Sequence, residues 1–166
     1  MVVMYLYRYG NKVFQFYDNP VTGINISQYQ IIMSNYYLMA SSMGFLGPAL
    51  YGAYKGQKIL PAVSLINSIV SISHWQQPYC NKRLILDLAV SKTVGVIYFI
   101  YGYSSIQGNL RVIGYTNLLC LLSAYQSSCY LYSMNNSFWL WSHMIFHGFT
   151  TFGQFLVVIT QPSILS

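Results

Sequence analysis

The chain of 166 residues has the length of one ordinary domain, yet 55% of it is hydrophobic and only 6% is charged, where soluble domains carry roughly 25%. Two acids, Asp18 and Asp87, cannot supply the mixed charge of a water-facing surface, which excludes an ordinary soluble domain and makes a lipid bilayer the expected solvent. The formal charge of +6 does not imply nucleic acid, because the eight basic residues stand singly or in pairs, mostly beside apolar runs where they meet headgroups and anionic lipid.

The first 30 residues are expected to form an aromatic arm and a loop. Residues 3–17 alternate around Gly10-Asn11 and read as a β-hairpin or extended arm with Tyr5, Tyr7 and Tyr9 on one face. Asn19-Pro20 and Gly23 then punctuate a loop. The apolar start is short and meets Arg8 without a small-residue cleavage site, so the first membrane helix is expected to serve as the targeting signal. Three cysteines, Cys80, Cys120 and Cys129, without a CxxC pair indicate neither a disulfide framework nor a thiolate zinc cluster.

A spanning helix needs about 20 mostly apolar residues, and residues 31–160 offer five: 31–54, 59–76, 83–103, 111–132 and 138–160. The expected fold is therefore an all-α, polytopic transmembrane bundle, with a short tail over residues 161–166. Lys55 to Lys58, Gln76 to Arg83, Gln107 to Asn109 and Asn135-Asn136 separate the spans. Pro48 predicts a kink in the first span, where Gly44, Gly47, Gly52 and Gly56 supply small contact points for a neighbouring helix. Trp75, Trp139, Trp141 and many tyrosines fall near span ends, at headgroup level.

The three histidines all fall in or at the end of predicted spans: His74 in the second, His143 and His147 in the fifth. His143 and His147 stand at i and i+4, about 6 Å apart in rise on one helix face, a spacing that lets both bind one metal ion. With five spans, His74, Asp87, His143 and His147 share one side of the membrane, Asp87 and His143 roughly 6–8 Å inside their span ends and His147 about 13 Å inside. Three neutral imidazoles would leave the fourth tetrahedral position of Zn²⁺ open for water. Asp87 is the expected proton acceptor or histidine-orienting group, and Ser71, near His74, the expected donor to a carbonyl or oxyanion. Lys92 is a candidate salt-bridge partner of Asp87.

Ser71-Ile-Ser-His74, then Asp87, then His143-x-x-x-His147 stand in the order found in the membrane hydrolase superfamily that includes alkaline ceramidases, adiponectin-receptor-like proteins and hemolysin-type proteins, and the chain resembles it over residues 58–160. The resemblance implies a zinc site near the cytoplasmic side that hydrolyses lipid amides. It departs in two ways: the family serine lies four residues before its histidine, where Val70 stands here, and the family has seven helices.

Two function classes follow. The first is a zinc-dependent hydrolase acting on amide or ester bonds of a lipid that arrives from within the bilayer. The second is a non-catalytic subunit or assembly protein of a larger membrane complex or viral membrane, needing no metal. A transmembrane ion or proton relay is disfavoured because the ionisable groups crowd to one side. Arg8, Lys12, Lys82 and Arg83 against Lys55, Lys58 and Arg111 place the histidine side in the cytoplasm, and glycosylation at Asn25 or Asn135 would reverse that orientation.

Overall fold

The computed structural model describes residues 35–78, 81–134 and 136–162, which are all-helical. The hairpin expected over residues 3–17, the loop after it and the tail from residue 163 lie outside the described residues. A helical stretch over residues 35–42 passes through a 3-10 turn, Met43–Phe45, into α1, Leu46–Tyr54. Then follow α2, Ile59–Gln76, α3, Asn81–Ser105, α4, Asn109–Ser133, and α5, Trp139–Thr160.

Local chemistry sets the breaks. Pro48 has no N–H to give the Gly44 carbonyl, and the chain tightens into its 3-10 turn around that carbonyl. At the end of α1, Gly56 adopts φ 76° and the Gly56 and Gln57 N–H groups return to the carbonyls of Ala53 and Gly52, at 2.9 and 3.0 Å. This Schellman closure satisfies carbonyls that the helix end leaves free, and glycine takes its left-handed position without strain. Pro61 falls in the first turn of α2, where a missing N–H costs nothing. Asn136 Oδ1 accepts the Phe138 N–H at 3.0 Å and starts α5.

Helix α5 is the hub. Antiparallel α4 packs along it most extensively, α1 and α3 contact its other sides, and α2 lies between α1 and α3. The α1 contact is close because a Cβ on Gly47 would lie 2.8 Å from the Phe155 ring, and one on Gly44 3.0 Å from Thr151 Oγ1. Two cations close helix ends: Lys55 Nζ donates to the carbonyls of Val158, Ile159 and Gln161 at 2.7–3.1 Å, and Arg83 Nη1 to that of Ser73 at 2.8 Å.

Apolar and polar groups are distributed inside out. Leu60, Val94, Tyr98, Ile106, Val157 and Val158 form a compact apolar core towards one end, but the interior also holds Ser42, Ser64, Asn67, Ser68, Ser71, His74, Ser128, His147 and Gln154. Large apolar side chains such as Leu50, Ile66, Ile69, Ile85, Ile100, Leu119 and Ile159 face outward. Among the described residues one helix, Lys82–Ser105, is long and apolar enough to cross a membrane by length and composition.

Candidate functional site

Helix α2 carries Ser64, Asn67, Ser68, Ser71 and His74 at three- and four-residue spacing, so one polar stripe faces the interior. Helix α3 turns Asp87 towards the Ser71 and Ser91 hydroxyls. Helix α5 contributes His143 and His147, whose ring centroids lie 4.9 Å apart. The Trp75 ring touches both His74, at 4.6 Å between centroids, and His143, at 5.3 Å. The structure thus brings the sequence-predicted residues to one end of the bundle. Trp139 and Tyr132, with centroids 5.2 Å apart, extend the aromatic cluster there.

The hydrogen bonds reach further than the sequence indicated. Ser41 Oγ donates to the Leu38 carbonyl at 3.0 Å and lies 2.8 Å from His147 Nδ1. The hydroxyl has one proton to give: where it goes to Leu38, His147 donates from Nδ1 and keeps a lone pair on Nε2, and where it goes to Nδ1 the imidazole proton is on Nε2. Ser128 Oγ lies 3.0 Å from His143 Nδ1 and orients the second ring. His74 Nδ1 is buried with no partner, and so is Asp87 Oδ1.

Ser71 is drawn into a second chain. Ser42 Oγ donates to the Leu38 carbonyl at 2.7 Å, so across the 3.0 Å contact Ser71 is the donor to Ser42. Ser91 donates to Asn67 Oδ1 at 3.1 Å. Both hydroxyls facing Asp87 also have other hydrogen-bond partners, while Asp87 Oδ1 has none. Lys92, five residues on from Asp87 and about 140° around the helix, is exposed on the outer side.

Ser41, Ser42 and Ser128 went unnoticed in the sequence because isolated serines in apolar runs have no motif. The α2 stripe did have a signal, the repeated three- and four-residue spacing from Ser64 to His74. Farther along the interior, Ser64 Oγ lies 2.6 Å from the Tyr98 hydroxyl and 3.2 Å from Gln154 Oε1.

Among the described residues no three or more His, Cys, Asp or Glu side chains are gathered as a ready metal-binding group. What is assembled is the His143–His147 pair, with His74 one tryptophan away. A groove of about 500 Å³ between α4 and α5, lined by Val112, Ile113, Thr116 and Phe152 among others, includes none of the five candidate residues. No family model, curated protein or solved structure matches the chain.

Proposed function

We propose that the chain is a multi-pass integral membrane protein whose histidine-bearing end is a zinc-dependent, hydrolase-like site for lipid amide or ester bonds. The membrane part of this reading rests on the inside-out distribution of side chains, since an outer surface of Leu, Ile, Val and Phe is stable in lipid and not in water. Mean hydropathy averages a helix over its whole circumference, so inward-facing Ser, Asn, Gln and His lower it in α2 and α5 although outward side chains such as Ile66, Ile69, Ile145 and Ile159 are apolar.

The observation that carries the site is that His74 Nδ1 and Asp87 Oδ1, two of six buried side-chain atoms without a partner among the described residues and joined at this end by Trp75 Nε1, lie on adjacent helices where His143 and His147 meet. Buried polar atoms are rarely left unpaired, and an orphan pair beside two histidines fits a ligand site. His143 and His147 would hold the ion through Nε2, with His74 as third ligand and Trp75 excluding water. Bound zinc would supply an acidified water and polarise a carbonyl. Asp87 is the group able to take a proton, and the apolar exterior admits a lipid from the bilayer.

The test is elemental analysis of detergent-purified wild type beside the His143→Ala, His147→Ala double variant. About one zinc per chain, lost in a variant of unchanged helicity, is the expected result. A metal-free wild type prepared without chelators would overturn it. A second reading has its own observation: both α5 histidines are already bonded at Nδ1 and pack among Phe45, Phe146 and Trp139, as structural histidines do. The metal-free result would leave that reading, a non-catalytic subunit of a larger membrane assembly.

A further inference from the structure

Helix α3 packs chiefly against α2 and α5, and Lys92 stands on the side turned away from both. The side chain is exposed and makes no hydrogen bond or ion pair among the described residues. It lies eleven residues after Asn81 and thirteen before Ser105, hence about 17 and 20 Å from the two ends of the helix. Lys82–Ser105 is also the stretch long and apolar enough to cross a membrane, so this cation falls near the bilayer centre. Ile85, Val96 and Phe99, exposed around it, are apolar and offer no acceptor.

A charged side chain at that depth is costly, and such groups are found paired or lining a water-filled interior. Snorkelling serves lysines near helix ends, but the four-carbon stem of Lys92 spans less than half of the distance to either end. Asp87 does not help, because it sits about 140° around the helix and faces the Ser71 and Ser91 hydroxyls inside the bundle. Lipid phosphates lie at the two membrane surfaces, out of reach. The charge calls for a carboxylate brought to it at its own depth.

We infer that the Lys92 face of α3 is the docking surface for a transmembrane helix of a different protein, one that carries an aspartate or glutamate at mid-membrane depth. The inference rests on the membrane reading above, not on the zinc site. A second copy of this chain does not fit. Its two acids are Asp87, turned inward, and Asp18, which stands ahead of the first expected span, and a two-fold pairing through this face would set Lys92 against Lys92. A partner carboxylate would neutralise the ammonium and accept its hydrogen bonds, where a wholly apolar helix would leave it unpaired. Room for a close backbone is present: Ala89 is small and exposed, and nothing lies within 4 Å of where a Cβ on Gly95 would stand.

The full chain, fluorescently labelled, would be reconstituted into phosphatidylcholine vesicles with an acceptor-labelled polyleucine transmembrane peptide of about 20 residues that carries Asp, Asn or Leu at its centre. Association would be read by energy transfer. Wild type should bind the Asp peptide about tenfold more tightly than the Leu peptide, with the Asn peptide between them. Lys92→Met should erase the preference, and Lys92→Glu should transfer it to a Lys-centred peptide. Lys92 faces away from the bundle, so helicity measured by circular dichroism should be unchanged in both variants. Equal binding of the Asp and Leu peptides to wild type would overturn the inference, as would a preference that survives Lys92→Met. Energy transfer between wild-type copies that disappears in Lys92→Met would overturn it too, naming a second copy as the occupant. Release of the wild-type chain from the vesicles by alkaline carbonate would overturn the membrane reading, and the docking face with it.

Discussion

A single serine holds the His147 ring. Ser41 Oγ lies within hydrogen-bond distance of both the Leu38 carbonyl and His147 Nδ1, so its hydroxyl joins the first helical stretch to α5. Ser41→Ala removes the partner of Nδ1 on a histidine that is only 3% exposed. The expected cost is about 1–3 kcal/mol, read as a lower denaturation midpoint in detergent. Ser127→Ala, on the exposed side of α4, should stay within about 0.5 kcal/mol. A Ser41→Ala change as mild as that control would mean that the Ser41–His147 hydrogen bond contributes nothing to stability. The sequence singled out His147 through its spacing from His143. It could not reveal Ser41, because the two are 106 positions apart and only packing joins them.

At the scale of elements, the close approach of α1 to α5 is set where side chains are missing. Gly47→Leu would drive a Cβ into the Phe155 ring, which lies 2.8 Å from that position. Overpacking of this kind costs about 1–3 kcal/mol. In a Phe155→Ala background the same change should cost less, and equal costs in the two backgrounds would show that the ring is not the obstacle. Element boundaries were the most legible part of the fold. The expected span 59–76 coincides with α2, Ile59–Gln76, because turn chemistry stands on both sides of it. The first span, expected over 31–54, is described only from residue 35 and is interrupted by the turn that Pro48 imposes. Less legible was which face of each helix turns inward. In α2 the polar residues Ser64, Asn67, Ser68, Ser71 and His74 form the stripe that α1 and α3 enclose.

For the whole molecule, the reading of five crossings makes a geometric demand on the loops. Helix α4 has 25 residues, hence about 37 Å of length, which exceeds the roughly 30 Å hydrocarbon thickness. If it crosses, Gln107 before it and Asn136 after it lie on opposite faces of the membrane. The bundle then ties further loops to each face: Lys55 and Gln57 cap the end of α5, and Gln161 Nε2 donates to the Tyr101 carbonyl near the end of α3. Gln57 and Gln107 therefore belong to one side, Gln77 and Asn136 to the other. With Cys80, Cys120 and Cys129 replaced by serine, single cysteines at these four positions would be probed in sealed vesicles with a membrane-impermeant maleimide. Gln57→Cys and Gln107→Cys should label together, and Gln77→Cys and Asn136→Cys only from the opposite side. Labelling of Gln57→Cys with Gln77→Cys from one side, and of Gln107→Cys with Asn136→Cys from the other, would mean that α2 and α4 do not cross, leaving Lys82–Ser105 as the membrane helix. The apolar faces of the other helices would then require a protein partner in place of lipid.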